Sequence, residues 1–498
     1  MRELELKLSV DDPFVTPPLR GDELDIAGME ELPALDLRAT YYDTHDLRLA
    51  RHGITLRHRT GEGDGSGWTL KLPLRSGDGA ARDEIRLEGR AGEVPAGARD
   101  LVTAHSRGTA LGPVARLRTR RRRWCLRGRE GGALAELVDD RVSVIKQGRV
   151  VERFRELEIE ARDADRALLE QVAELLQAAG AAAPAPVPKV VRALGPKATL
   201  PPDVVVPRGL TPSGPAAFAV QAAIARSVNR IVDNDAGTRL GEVEPVHQMR
   251  VGTRRLRSDL RTFRSLVDAE WADRLREELR WLGEALGAVR DLDVMSERLH
   301  AESGDLTSAE PLFAHLDEQH LVARAALLRA LRSRRYVELL DSLVEAARSP
   351  SLTDDAWLPS TEVLPPLAAR AWRKLAKKAR SLAPGDADAD HHRVRILAKR
   401  ARYASEAIVP ALGRKRAIRG RRFAARAADV QDALGGLQDS VVARSLIEEV
   451  AGGRPTDGPF GLAAGRLLER EAASARESRA GFAKAWKRLD RPKLRRWM

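Results

Sequence analysis

The chain opens on a strict alternation of charged and apolar side chains: Glu3, Glu5 and Lys7 fall between Leu4, Leu6 and Leu8, the two-residue period of a strand with unlike faces. Similar short runs, separated by Gly, Asp and Pro, recur at 39–44, 53–60, 67–73, 83–89, 124–128, 134–144 and 154–161, and predict an antiparallel, largely meandering sheet. The period changes at 163–179, where Leu168, Leu169, Val172, Leu175 and Leu176 recur at helical spacing ahead of Gly180. Residues 181–215 carry Pro184, Pro186, Pro188, Pro201, Pro202, Pro207, Pro212 and Pro215 and predict an extended, semi-rigid connection. From about residue 216 apolar side chains return every three or four positions, the pattern of a helical bundle. The fold class is therefore α+β and multidomain: a strand-rich domain at 1–200, a Pro-rich linker at 201–215 and an all-α domain at 216–490.

The helical half repeats itself. His247, Arg250, Arg254, Arg255 and Arg257 fall in register with His392, Arg395, Lys399, Arg400 and Arg402, each pair 145 residues apart. Downstream, Leu286, Gly287 and Asp291 are echoed by Leu434, Gly435 and Asp439, so two similar helical units are expected, joined by the softer segment 349–366. At about 100° per residue, His247, Arg250, Arg254, Arg257, Arg261 and Arg264 share one helix face, opposite Met249, Leu256, Leu260 and Phe263. Like charges stacked on successive turns repel, which favours recruitment of an anion.

Charge sharpens this division. Of the formal +13, residues 1–200 hold 33 Lys and Arg against 32 Asp and Glu, net +1, whereas residues 201–498 hold 52 against 40, net +12. Such a surplus implies a polyanionic partner: nucleic acid, inorganic polyphosphate or an acidic membrane surface. Aromatic residues are only 4% and no RNP, zinc-finger or helix-turn-helix signature occurs, so nucleic acid would meet sequence-independent phosphate contacts alone. Cys125 is the single cysteine, which excludes a disulfide framework or zinc cluster and suits a reducing cytosol. A charged N-terminus without a signal-peptide core, and no apolar stretch of spanning length, predict a cytoplasmic protein with no membrane partner.

Within the strand-like runs, charges of both signs share faces: Glu3, Glu5 and Lys7; Arg57 and Arg59; Glu84 and Arg86; Glu136 and Asp140; Glu156, Glu158 and Glu160. A barrel lined in this way is unstable unless its charges pair with one another or with a bound ion. Carboxylates without sulfur or paired histidines suit Mg2+ or Mn2+, and the neighbouring arginines and lysines suit phosphate oxygens.

The opening Glu-x-Glu-x-Lys, YYDT at 41–44, LRHR at 56–59, WTLK at 68–71 and ELEIE at 156–160 resemble the CYTH, or triphosphate tunnel metalloenzyme, family over roughly residues 1–200. The resemblance implies an eight-stranded antiparallel tunnel that binds a linear triphosphate and one or two divalent metals. It assigns Glu3, Glu5, Glu158 and Glu160 to catalytic metal binding, with Glu136 and Asp140 as further acidic ligands. It assigns Lys7, Arg57, Arg59, Lys71, Arg121 and Lys189 to phosphate, although the run 120–123 leaves open which arginines face inward. Family members hydrolyse inorganic or thiamine triphosphate or cyclise ATP; with no distinct aromatic pocket, metal-assisted hydrolysis of inorganic tripolyphosphate leads.

The paired basic stripes resemble the CHAD, or conserved histidine α-helical, domain over about residues 210–490. That resemblance implies a two-lobed helical bundle binding inorganic polyphosphate through His247, Arg250, Arg254, Arg257, His392, Arg395, Lys399 and Arg402. The second copy departs in having Gln438 at the position of Arg290. The expectation is a Mg-dependent inorganic triphosphatase whose helical half binds polyphosphate and associates it with polyphosphate granules. The alternatives are a non-catalytic polyphosphate scaffold and an enzyme acting on an organic triphosphate.

Overall fold

A computed structural model describes residues 4–19, 25–61, 63, 66–73, 82–183, 188–304, 306–383 and 385–498. The chain divides into two units, Met1–Pro202 and Asp203–Met498. Glu3, and Pro184 and Pro186 of the expected connection, lie outside the described residues.

The first unit is built on strands β1 (Glu5–Val10), β2 (Ile26–Asp43), β3 (Thr55–Thr60), β4 (Gly67–Pro73), β5 (Arg82–Leu87), β6 (Gly112–Gly128), β7 (Ala133–Lys146) and β8 (Arg149–Ala161). They form one antiparallel sheet in the order β1-β8-β7-β6-β2-β3-β4-β5. The topology is thus two meanders, β2 to β5 and β6 to β8, joined by a β2–β6 pair, with β1 added beside β8. Strands β2 and β6 begin more than ten residues before the runs at 39–44 and 124–128. In β6 the alternation of Ala115 and Leu117 with Arg116 and Arg118 gives way at 120–123 to arginine on both parities, and in β2 the alternation of Leu35 and Leu37 with Asp36 and Arg38 is preceded by Glu30, Glu31 and Pro33. Pro33 lies where the β2–β6 register shifts between Leu32 and Leu35, so its missing N–H interrupts no regular ladder.

Directly opposed residues share a face, so the register carries side-chain parity across the sheet. Short helices α1 (Arg48–Arg51), α2 (Ala96–Leu101) and α3 (Thr103–Ser106) precede α4 (Arg166–Ala178), and on one face of the sheet lie Leu8, Leu157, Ile159, Leu137, Trp124 and Leu126, over which α4 packs its Leu169, Val172 and Leu176. Helix α4, Arg166–Ala178, is capped by Asp165, whose carboxylate accepts the Leu168 N–H at 3.0 Å. The other face carries the charged positions predicted above. Helix α5, Lys189–Leu194, closes one end of that face, with Val190 and Ala193 buried against Tyr41, Leu117, Val142, Val144 and Phe154. The stretch 181–215 is therefore not uniformly extended: apolar contacts fold its middle onto the sheet.

In the second unit, the helices are α6 (Ala216–Asp233), α7 (Asp235–Leu240), α8 (Val243–Thr262), α9 (Ala269–Ser303), α10 (Glu310–Leu331), α11 (Arg334–Arg348), α12 (Ser360–Arg380), α13 (Asp388–Ile408), α14 (Arg414–Gly452) and α15 (Gly458–Leu489). The repeat corresponds to α8–α9 and α13–α14. Met249, Leu256, Leu260 and Phe263 are buried as the periodicity predicts. Helix α8 ends at Thr262, so Arg264 leaves the stripe and pairs with Asp273 at 2.6 Å. Part of the joining segment is helical too, since α12 begins at Ser360 and contains Pro365 and Pro366. No helix among the described residues is long and apolar enough to cross a membrane.

Asp259 on α8 is 1% exposed and one carboxylate oxygen has no hydrogen-bond partner. Burial pushes its pKa up to about 7 against the opposing pull of Arg255 and Arg226. The unfolded chain would lose that proton near pH 4, so between about pH 4 and 7 the unfolded state binds fewer protons and stability falls as pH rises. Asp259→Asn removes this slope. Urea unfolding at pH 5 and pH 8 should show the variant gaining on the wild type as pH rises; parallel curves would contradict the assignment.

Candidate functional site

In the first unit, β8 supplies Glu156, Glu158 and Glu160 on one face, and β1 places Lys7 opposite Glu158 and Glu5 opposite Glu160. Strand β7 sets Asp140 beside Glu156 and Glu136 beside Glu160, while β6 sets Arg121 beside Asp140. Lys189, the first residue of α5, reaches into the same group. Lys7 Nζ bonds Glu158 and lies 3.3 Å from Glu5. Arg121 forks onto both oxygens of Asp140 at 2.8 and 2.7 Å and donates to Glu158 at 3.0 Å. Lys189 bonds Asp140 and lies 3.1 Å from Glu156 and 3.3 Å from Glu158.

Three cations thus face five carboxylates, Glu5, Asp140, Glu156, Glu158 and Glu160, an excess of two negative charges if all ionise. The strain appears in their titration. Glu158 is buried, which would raise its pKa, but Lys189, Lys7 and Arg121 hold it well below the usual carboxylate range. Asp140 is held down against burial by Lys189 and Arg121. Burial also opposes the Lys7 and Lys189 ammonium groups, yet the carboxylates raise both. Glu160 has less cationic help: burial and the adjacent Glu158 push it up to about 7.

Glu5, Glu158 and Glu160 each offer an oxygen within 4.8 Å of the others, and this group fits a hard divalent cation in donor type and charge. The expected ligand set narrows here. The three-carboxylate group includes neither Glu136, which lies 3.3 Å from Arg123 and 2.8 Å from Arg162, nor Asp140, which bonds Arg121 and Lys189.

The same sheet face continues onto β3, β4 and β5, where the register aligns Arg57 with Thr69 and Lys71 with Glu84. Lys71 Nζ is 2.7 Å from Glu84, whose carboxyl is kept low, despite burial, by Lys71, Arg57 and Arg59. The register also resolves the run 120–123: Arg121 and Arg123 share the face of Asp140 and Glu136, whereas Arg120 and Arg122 lie on the other. Arg123 escaped the sequence reading. Trp124 and Leu126 were the available signal, because a buried apolar face at those positions assigns Arg121 and Arg123 to the opposite one.

In the second unit, the two stripes converge on a cleft of about 710 Å³. Arg250, Arg254, Arg257, Arg261 of α8 and His392, Arg395, Lys399, Arg400 of α13 line it, with Arg276 and Arg298 from α9 and only Asp291 and Asp439 as acids. His247 and Arg402 do not line it; Arg402 instead bonds Glu406 at 2.8 Å. Arg298 sits seven residues after Asp291, the same helix face two turns on, a spacing that could have revealed it. Two glycines matter. A Cβ on Gly287 would lie 3.6 Å from the Arg250 guanidinium, and one on Gly435 3.7 Å from that of Arg395, so both copies lay an arginine flat on the neighbouring helix. Arg250 meets Asp291 at 2.8 Å. Burial and the neighbouring Arg261, Arg393 and Arg276 depress Arg400 to about 10, and burial with Arg290 lowers His247. The cleft is short of negative charge, as an anion site would be.

Comparison with known proteins accounts for both halves. The CYTH domain profile matches residues 1–193 and the CHAD domain profile residues 222–448. An uncharacterised protein of Mycobacterium tuberculosis is 33% identical over 98% of this chain and 96% of its own length. Among solved structures, the CHAD domain from the plant Ricinus communis aligns at 29% identity with a TM-score of 0.44, covering 55% of this chain and 94% of that one. A Hippeastrum protein with a dominant triphosphatase activity aligns at 15% identity with a TM-score of 0.22, covering 38% and 93%. CYTH domains are metal-dependent and bind triphosphates, acting as triphosphatases or cyclases. The chain belongs to the CYTH and CHAD families, a triphosphate-tunnel enzyme domain followed by a helical partner domain.

Proposed function

We propose that the first unit hydrolyses inorganic tripolyphosphate with Mg2+ or Mn2+, and that the cleft of the second binds inorganic polyphosphate. The observation that carries the first part is the charge imbalance at Glu5, Glu158 and Glu160 beside Lys7, Arg121 and Lys189: anionic enough for a metal, with cations ready for phosphate oxygens. Glu5, Glu158 and Glu160 would hold the metal, which supplies charge neutralisation for the phosphates and a more acidic bound water. Lys7, Arg57, Arg59, Lys71, Arg121 and Lys189 would grip and orient the chain of phosphates, and Arg guanidinium planes suit two oxygens at once. Asp140 acts through others, holding Arg121 and Lys189 in place. With no cation bound, burial and Glu158 push Glu160 up to about 7; with a metal bound it would be held ionised, which couples metal binding to loss of that proton. Glu3 and the granule association remain part of this reading, as does a cytoplasmic location.

Inorganic substrate is favoured over a nucleotide or thiamine ester because, among the described residues, the aromatic rings on this face, Tyr41 and Phe154, are buried at 7% and 8% exposure and not open to stack a base. A panel of tripolyphosphate, ATP, thiamine triphosphate and long-chain polyphosphate with Mg2+ and Mn2+, reading orthophosphate and cyclic nucleotide, tests it. Fast orthophosphate release from tripolyphosphate is expected; cyclic AMP as the main product, or no turnover with retained triphosphate binding, would replace the reading. For the second unit, Arg250→Gln with Arg395→Gln should weaken long-chain polyphosphate binding about tenfold or more and flatten its salt dependence, since each lost phosphate contact lowers the slope by about one. Unchanged binding isotherms would reject the cleft.

A further inference from the structure

Half of the arginine run in β6 takes no part in the inner face. Arg116, Arg118, Arg120 and Arg122 have the opposite parity, on the face that α4 covers only at its apolar end. Beyond α4 that face is open. Arg38 of β2, Arg116, Arg118 and Arg120 of β6, Arg141 of β7 and Arg153 of β8 are all exposed there. The register sets Arg38 directly opposite Arg118 and Arg120 directly opposite Arg141. Like charges directly opposed destabilise a sheet.

Local acids compensate little. Asp36 accepts from Arg118 at 3.0 Å, and Asp139 is committed to the buried Arg155 at 2.8 Å. Glu31 takes Arg122 at 2.9 Å. Among the described residues Arg116, Arg120 and Arg141 have no ion pair. A cavity of about 460 Å³ bordered by Asp36, Arg120, Arg122 and Arg141 indents this surface.

We propose that this outer face is a further anion-binding surface, for a linear condensed phosphate chain. Same-face residues on a strand are about 6.7 Å apart and neighbouring strands about 4.8 Å, so the guanidinium groups form a dense grid rather than a single line. A condensed phosphate carries charge on every phosphorus with one bridging oxygen between, whereas nucleic acid interposes a sugar. Trp124 on this face is only 9% exposed and already lies under Arg122, so it offers a base no open stacking surface. This goes beyond the proposed hydrolysis and the helical cleft and requires neither.

The test uses the full-length protein carrying Arg250→Gln and Arg395→Gln, which weakens the cleft, and a long-chain polyphosphate probe. Labelling by an arginine-selective dicarbonyl, mapped by peptide mass, should be suppressed by the probe at Arg116, Arg120 and Arg141. Adding Arg116→Gln, Arg120→Gln and Arg141→Gln should weaken residual binding about tenfold or more and lower the salt slope by about two to three. Unprotected arginines overturn the proposal even if that variant fails to fold; in a folded variant, unchanged affinity does the same. Stronger protection by single-stranded RNA or by phosphatidylglycerol vesicles than by polyphosphate also overturns it. Labelling is read without turnover, so it fails or succeeds separately from hydrolysis.

Discussion

Glu5→Gln lowers metal-dependent phosphate release from tripolyphosphate by at least about a hundredfold while leaving the fold nearly intact. Of the three converging carboxylates Glu5 is the one whose loss separates chemistry from stability. Its side chain is 32% exposed and its partner Lys7 keeps Glu158, so unfolding should shift by no more than about 1 kcal/mol. Glu158, by contrast, is buried among three cations, and its removal would confound the two effects. Steady-state rates over a Mg2+ series, with urea unfolding in parallel, check this. A variant with wild-type turnover would remove Glu5 from the metal site; one that unfolds would make it structural.

Asp140→Asn destabilises the first unit by about 1–3 kcal/mol, because Arg121 loses its forked partner and Lys189 its nearest carboxylate while Glu158 and Glu156 stay beside them. Asp140 has a side-chain exposure of 0% and both partners are nearly enclosed. The expectation has a second part: Lys189→Met should cost less in the Asp140→Asn background than in the wild type, where it would leave the buried Asp140 with Arg121 alone. Chemical unfolding of the single and double variants measures the coupling. A cost below about 1 kcal/mol for Asp140→Asn, or strictly additive variants, would mean that the ion cluster does not hold the sheet and α5 together.

The charged positions were legible in the sequence because strand parity is local. Glu5 and Lys7, or Glu158 and Glu160, need only the two-residue period to share a face. Which face meets which is not local. That Lys7 opposes Glu158 follows from β1 pairing with β8, a contact between residues about 150 apart that no short-range pattern encodes. The carboxylates show the same limit: parity puts Glu136, Asp140 and Glu158 on one face, but which of them converge with Glu5 and Glu160 depends on the pairing of β1, β7 and β8. The full lengths of β2 and β6 are not legible because charge falls on both parities at 30–31 and 120–123, and Pro33 interrupts β2. Helix α5 was hidden among prolines, and only its buried Val190 and Ala193 explain why it folds back with Lys189 aimed at the carboxylates. In the helical half the stripe was legible from 3.6-residue periodicity and from repetition. Its end was not: α8 stops at Thr262, and Arg264 turns to Asp273.

The most direct measurement is a crystal structure with Mn2+ and a non-hydrolysable imido analogue of tripolyphosphate, with the metal located by anomalous scattering. The account predicts a manganese peak within coordinating distance of Glu5, Glu158 and Glu160, with phosphate oxygens against Lys7, Arg121 and Lys189. A metal bound elsewhere, or an analogue found only in the arginine cleft of the helical unit, would contradict it.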